Sequence, residues 1–482
     1  MIPFPPIHIV GAGIAGLTLA RCLKNKGIQA VIFEKNPSPP KHNYGITLQP
    51  RTCWALMKVL DTDPRSFCYR VAVDSAVGGC GHVGLKDRVR SDIGGISSPF
   101  RAHCGRLEAF LREELKIEWG YMLEGVSEQG DEHVLEFKGQ DKVHDAFIID
   151  TSGVHSRIRQ ALLPKSELSI LPYVVFRGTR NIYGRKFRDI YQLFSEGRNV
   201  IGTRRDHTLF QVWINQYQKD AGAVDISYVY SRPAREDDPL YRPGRAPGES
   251  SDSSQAFFEE VSQLCELEQP FKNAFDGEKI KEDRILHWLM RTSLTPLDKL
   301  IELSKRGVAF LGDSAHVMPI LGGEGANFAI DDAVALAECI AANGAARMED
   351  FYEERYGEWE GGLVKCAKEK RDHAKVHNGT VYCAGQIGAD IQGKLVSEDV
   401  AAQTEKTLSN LKAILESAGS GLDRVLKVNI YMPEQADYAS MNEVYKRSVK
   451  IMSDPKPPRA CVFVKGLPGG AKVEIECIAA ER

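Results

Sequence analysis

The stretch "IHIVGAGIAGLTLA", residues 7–20, decides the first half of the fold. Ile7, Ile9 and Val10 read as a strand and Gly11, Gly13 and Gly16 as a tight turn, after which Leu17, Leu19, Ala20 and Leu23 recur at helical spacing. The first two glycines let the turn form and let backbone amides approach a pyrophosphate. The third admits close helix packing, and the helix N-terminus favours negative charge. The next apolar run, "AVIFEK" at 30–35, ends on Glu34 and Lys35. Glu34 stands about twenty residues past the turn, where a carboxylate accepts hydrogen bonds from a ribose. Glycines alone also punctuate ordinary turns, but with an acidic residue in a strand-helix-strand frame they predict a dinucleotide site, for NAD or FAD alike.

A chain of 482 residues, 43% hydrophobic and 26% charged, has room for two or three domains and an ordinary globular core. Its net charge of -3 and the lack of like-charge blocks imply neither nucleic acid nor an anionic membrane as a partner. The N-terminus lacks the basic region of a signal peptide, and no apolar run has the length of a membrane span, so a cytoplasmic location is expected. Eleven cysteines without C-x-x-C pairs read as reduced thiols, with no metal site indicated by spacing.

The middle of the chain decides between the nucleotides. "VAFLGDSAHVMPILGGEGANFAIDDAVALAECI", residues 308–340, is an apolar strand, Gly312-Asp313, a loop, and a glycine-rich entry to a long helix. It closely resembles the GD motif of single-component FAD-dependent monooxygenases, the class related to aromatic hydroxylases. The resemblance implies that Asp313 binds the flavin ribityl chain. It also implies that the helix start, with Gly322, Gly323, Gly325, Ala326 and Asn327, points at the flavin pyrimidine, where dipole and free amides favour negative charge. His316 of the same motif reads as a residue that fixes the loop by hydrogen bonding.

Two further segments resemble that family and depart from it. "DAFIIDTSGVHSRIRQALLP" at 145–164 is similar to the DG motif, with Ser152 where the Asp belongs. "FRAHCGRLEAFL" at 100–111 is similar to the segment that supplies an Arg to the cofactor, with Cys104 at that place and Arg101 and Arg106 flanking it. Serine lacks the charge-assisted strength of a carboxylate, and cysteine supplies no charge opposite a phosphate. "NYGITLQP" at 43–50, with Gly45, matches a flavin-contacting segment of fungal members. Residues 166–299 carry alternating stretches, "YVVFRGTRNIY", "NVIGTRR" and "TLFQVWINQY", that read as a substrate-covering sheet. Arg177 in the first of these is a candidate catalytic residue facing the flavin, or an ion-paired strand residue. The span 231–254, rich in Pro, Gly, Ser and charge, reads as a long loop.

After a long helical pattern at 348–373 the texture changes. A hairpin turning at Asn378-Gly379, a helix with Val400, Thr404, Leu408, Leu411 and Leu415 on one face, and further strands and a helix give the order ββαβαββ. "GQIGADIQGKLV", "VLKVNIYM", "MNEVY", "PPRACV" and "GLPGGAKVEIECIA" resemble, in order, the blocks of the RidA/YjgF family of enamine and imine deaminases. By that resemblance Arg459 holds a substrate carboxylate, Glu474 positions water or moves a proton, and Asn442 lies near the pocket. Ala384 replaces the family's Ser, and "EKRD" at 369–372 replaces its N-terminal Pro-Tyr segment. Read without the family, Glu474 is the polar side of an alternating strand.

The expected protein is therefore α/β, in two modules. Residues 1–372 form a Rossmann-type FAD-binding domain (about 1–165 and 300–372) with the substrate-covering β-sheet; 373–482 form a smaller α+β, chorismate-mutase-like RidA domain. The expected activity is a monooxygenase with FAD as cofactor, NAD(P)H as cosubstrate and O2, hydroxylating or epoxidising a small aromatic or nitrogen-containing metabolite. The RidA-like domain processes an imine product or assembles a homotrimer. A flavin amine oxidase coupled to imine hydrolysis and a redox-inactive flavin-fold scaffold are the alternatives.

Overall fold

Strand β1 (Ile7–Val10) lies at the centre of a five-stranded parallel sheet, with Ile7 and Ile9 fully buried. In spatial order the strands are Val308–Phe310, Ile148–Asp150, β1, β2 (Ala30–Glu34) and Ile117–Trp119. The computed structural model describes residues 6–481 except 84–97, 130–131, 146, 165, 167, 193–197, 206–207, 219–221, 245–254, 265–266, 369–373, 378, 391–392, 419 and 450–455. Two compact units divide at Glu354/Arg355. The expected module boundary falls in 369–373, and the tip of the expected loop in 245–254, both outside the described residues.

The glycine turn is closed by contacts that only glycine tolerates. A Cβ on Gly16 would stand 2.1 Å from the Gly11 carbonyl oxygen, and Gly11 itself has φ of +112° with the Thr151 carbonyl 2.7 Å from where its Cβ would be. Helix α1 (Ile14–Asn25) can thus start directly on the strand end, burying Leu17, Leu19, Ala20 and Leu23.

An antiparallel sheet follows in the same unit, ordered Val200–Arg205, Thr208–Gln218, Ala223–Pro233, Tyr173–Tyr183 and Arg284–Trp288. Its period-two alternation separates two faces. One buries an aromatic core in which Phe176 stacks on Phe257 at 3.8 Å. The other carries Val175 and Val229 with Trp213 and Trp288, and Arg177, two residues from Val175, belongs to this face. The strand pair β3 (Gly45–Leu48) and Phe100–His103 lies in the same unit.

The C-terminal unit has the expected order: Ala374–His377, Thr380–Ile387, helix Val400–Ser417, Val425–Met432, helix Tyr438–Val449, Arg459–Phe463 and Glu474–Ala480. His377 pairs with Thr380, leaving a two-residue turn in which Gly379 has φ of +73° and Asn378 lies outside the described residues. The helix face Val400, Thr404, Leu408, Leu411 and Leu415 is buried. Thr404 is tolerated there because its hydroxyl donates to the Val400 carbonyl at 2.6 Å. Among the described residues no helix is long and apolar enough to cross a membrane.

Candidate active site

The loop after β1 is prepared for an anionic ligand. Nothing stands within 4 Å of where a Cβ on Gly13 would lie, and Gly13 caps α1 with no side-chain hydrogen bond and no acidic residue in the first turn. Backbone amides are therefore left for a ligand rather than for the chain itself. Glu34 reaches back to accept from the Ala12 amide at 2.9 Å and is oriented by the Asn36 amide and side chain at 3.0 and 2.6 Å. Lys35 beside it is exposed.

Asp313 lies in the loop after Val308–Phe310, open to solvent yet walled by protein, so desolvation pushes its carboxyl up, opposed by the charges of His316 and Arg159. It accepts no hydrogen bond from a described residue, while its loop is clamped: Arg159 Nη1 donates to the carbonyls of Asp313 and Ser314 at 3.0 and 2.8 Å. A fixed loop presenting an unpartnered carboxylate fits a polyol-bearing cofactor. His316 is buried against Asp332 at 2.6 Å, in the loop-fixing role read from the sequence. The helix Gly325–Asn343 begins without a side-chain cap, with Gly325 and Ala326 partly exposed. Asn327 turns away to bind β3, accepting from the Gln49 amide at 2.8 Å and donating to the Thr47 carbonyl at 3.1 Å. Together the open Gly13, the Glu34 carboxylate and the free Asp313 fit FAD.

The hydrogen bonds continue from β3 to the antiparallel sheet. Gly45 N donates to Asn215 Oδ1 at 3.3 Å, and Asn215 Nδ2 donates to Ser227 Oγ at 2.8 Å. Ser227 Oγ accepts from Arg177 Nε and Nη2 at 3.1 and 2.8 Å. The Arg177 guanidinium lies 5.4 Å from the Tyr44 ring and 5.2 Å from Trp288. Burial lowers its pKa, and the charges of Tyr44 and Asp225 oppose that. Arg101 is 4% exposed, lies 5.3 Å from the Trp213 ring and donates to Thr47 Oγ1 at 3.1 Å, while its Nη2 has no hydrogen-bond partner. Burial, then Arg177's charge, pushes its pKa down to about 9, still a cation at neutral pH. Asp225 is the carboxylate of this group, held by Asn215 and Asn43 at 3.0 and 2.7 Å. Two arginines thus lie among three aromatic rings, and the Asp225 carboxylate acts on Arg177 by charge.

The departures take definite places. Ser152 is exposed, but its hydroxyl is engaged within the chain: it donates at 2.6 Å to Asp150, whose buried carboxylate also binds Ser156. Cys104 is 1% exposed, its thiol pushed up to about 12 by burial and, next, by the charge of Glu108. His103 caps the helix Cys104–Arg112, its Nδ1 accepting from the Arg106 amide at 3.2 Å. That leaves Nε2–H to donate to Asn43 Oδ1 at 3.0 Å. Burial, then the Arg106 charge, lowers His103 from 6.5 to about 4. Between these values the unfolded chain binds a proton that the native state resists, so the His103 contribution is whole above 6.5 and fades as pH falls toward 4. His103→Asn, which retains a capping side chain, should flatten the loss of melting temperature over this range; an unchanged slope would remove His103 as its source.

In the C-terminal unit Arg459 Nη1 donates to Asn442 Oδ1 at 2.9 Å and its guanidinium lies 4.5 Å from the Tyr445 ring, on the side of the sheet covered by helices. Glu474 lies on the opposite face, packed so closely on Gly385 that a Cβ there would stand 1.9 Å from its Oε1. Partial burial and Glu476 push its carboxyl up. One chain does not bring Arg459 and Glu474 together.

Sequence reasoning missed Arg159, Asn215, Asp225 and the partnering of Arg101. Arg159 carried a signal, since it closes the His155-Ser156-Arg157-Ile158-Arg159 stretch of the segment similar to the DG motif. The others carried none, because strand alternation alone does not say which polar residue meets which.

Residues 9–46 match the family model of the NAD(P)-binding Rossmann-like domain, 204–355 the FAD binding domain, and 369–481 Endoribonuclease L-PSP. The chain is 31% identical over 353 residues to the FAD-dependent monooxygenase adaC of Aspergillus niger, covering 70% of this chain and 84% of that one. It is 31% identical over 371 residues to the FAD-dependent monooxygenase nscC of Neosartorya fischeri, covering 72% and 89%. The fold is shared with CtdE, solved in complex with FAD and a substrate, at TM-score 0.56 and 17% identity over 76% of this chain and 90% of that one. The chain belongs to the FAD-dependent monooxygenases and carries a C-terminal domain of the Endoribonuclease L-PSP (RidA) family.

Proposed function

We propose that the N-terminal unit uses NAD(P)H and O2 to hydroxylate or epoxidise a small aromatic or nitrogen-containing metabolite. The observation that carries this reading is Arg177, tied by Ser227 and Asn215 to the Gly45 segment and set between the rings of Tyr44 and Trp288. FAD, when bound, supplies the redox chemistry that activates oxygen. Gly11, Gly13 and Gly16 shape its diphosphate seat, Glu34 takes the ribose, and Asp313 takes the ribityl hydroxyls. Lys35, Gly45 and Cys104 line its surroundings, and Gly325, Ala326 and Asn327 present the helix start. Aromatic rings orient a planar acceptor. Arg177 Nη1, with no hydrogen bond to a described residue, donates to an acceptor oxygen or nitrogen, and the excess of arginine over carboxylate favours electron-rich groups.

The C-terminal domain, residues 373–482, processes an imine or enamine product and assembles a trimer. With Arg459 and Glu474 on opposite faces of one sheet, a pocket using both needs a second copy. Tyr382, Val462 and Phe463, each roughly half exposed, supply apolar surface for it.

One chromatographic run with light scattering and absorbance detection tests both parts, followed by NAD(P)H consumption across aromatic and indolic amines and phenols. The expected result is a yellow trimer whose NAD(P)H oxidation is stimulated by one compound class. Arg177→Met should retain FAD and lose roughly ten- to a hundredfold in kcat/KM, the worth of a charge-assisted hydrogen bond. Stoichiometric peroxide from an amine without NAD(P)H would reject monooxygenation in favour of the oxidase, and a monomer would reject the trimer.

A further inference from the structure

We propose that His42, Cys104 and Glu108 form a three-ligand site for a divalent transition metal, zinc by preference, that clasps the segment entering β3 to the helix Cys104–Arg112. One ligand atom from each of the three residues lies within 4.8 Å of the others. His42 Nδ1 and Glu108 Oε2 are already 2.8 Å apart. Cys104 and Glu108 are four residues apart on one helix and so share a face, where they are 1% and 3% exposed. His42 comes from the other segment, and the helix admits it only because residue 105 is glycine: a Cβ there would stand 2.4 Å from the His42 carbonyl oxygen. The His42 side chain is 36% exposed, which leaves an entry path and room for a water as fourth ligand.

The donor set selects the metal. Thiolate, imidazole and carboxylate together suit zinc, a borderline-soft ion without geometric demands of its own, over magnesium or calcium, which take oxygen ligands. Metal–ligand distances of about 2.0 to 2.3 Å in a tetrahedron separate ligand atoms by roughly 3.3 to 3.6 Å, so the His42–Glu108 pair opens by only about half an ångström. Binding balances simply. The Cys104 thiol proton leaves to solvent as the metal–sulfur bond forms, the imidazole proton on Nδ1 moves to Nε2, and the hydrogen bond to Glu108 is exchanged for two metal bonds. Thiolate and carboxylate neutralise the dication, and no oxidant or reductant is needed.

The clasp has a consequence for the neighbouring chemistry. Tyr44 lies between His42 and Gly45, its carbonyl accepts from the Cys104 amide at 2.9 Å, and its ring lies beside Arg177. Metal binding therefore holds the backbone that places Tyr44.

The test uses the full, FAD-loaded chain, stripped with a chelator, titrated with Zn2+ or with Co2+ as a spectroscopic probe, and dialysed. The expected result is about one metal per chain and a thiolate-to-cobalt charge-transfer band. Cys104→Ser should abolish the band and His42→Gln should release the metal, the latter with FAD content unchanged. His42 is partly exposed, so its variant folds even if a change at the buried Cys104 does not. A wild-type chain that retains no metal overturns the proposal. Equal retention by wild type and His42→Gln also overturns it, since the metal then sits elsewhere.

Discussion

Asp313→Ala binds FAD roughly ten- to a hundredfold more weakly than the parent chain, and without cofactor it unfolds at the same temperature. The two halves have separate causes. Asp313 accepts no hydrogen bond from a described residue and is open to solvent, so truncating it removes no native contact beyond the charges of Arg159 and His316. Its loop stays in place because Arg159 binds the carbonyls of Asp313 and Ser314, not the carboxylate. What disappears is the charge-assisted bonding to cofactor hydroxyls proposed above, about 1.5 to 3 kcal/mol. Fluorescence titration of the stripped protein with FAD, beside a melting curve, measures both. An unchanged dissociation constant would take Asp313 out of the site, and a large drop in apoprotein melting temperature would make it structural.

Arg232→Met should cost the N-terminal unit about 3 to 5 kcal/mol, because it strands two carboxylates rather than removing one bond. The Arg232 side chain is 4% exposed and is bound on one side by Asp238, at 1%, and on the other by Glu260, at 17%. Arg232 Nη2 reaches Glu260 Oε2 at 2.7 Å and Asp238 Oδ1 at 3.2 Å. The cluster ties the end of the strand Ala223–Pro233 to the helix Gln255–Ser262, whose Phe257 stacks on Phe176 in the sheet's core. A melting temperature lower by on the order of 10 °C is expected, followed by flavin fluorescence so that the N-terminal unit is read by itself. Adding Asp238→Asn and Glu260→Gln should recover most of the loss, since neutral amides need no counter-ion. A single variant that melts within a degree of the parent would show that these charges are already solvated.

The sequence by itself determined the elements whose causes are local. Gly11 and Gly16 specify their own turn because a Cβ at either would collide with backbone. The helix Val400–Ser417 and the alternating strand Glu474–Ala480 carry their burial in their periods. The GD loop and the RidA blocks were legible as unbroken stretches of chain, and the family matches cover them. What only the tertiary structure decided is which distant polar groups meet. Arg177 was ambiguous as a strand residue, since alternation gives the face and not the neighbour; Ser227, fifty residues on, supplies its partner. Ser152 looked like a lost ligand until the fold turned it onto Asp150. Arg459 and Glu474 were grouped by resemblance, and the sheet puts its own thickness between them. His42 and Glu108, 66 residues apart, had no sequence signal at all. Periodicity is a property of neighbours along the chain, whereas hydrogen bonds and ligand sets belong to neighbours in space, and only packing relates the two.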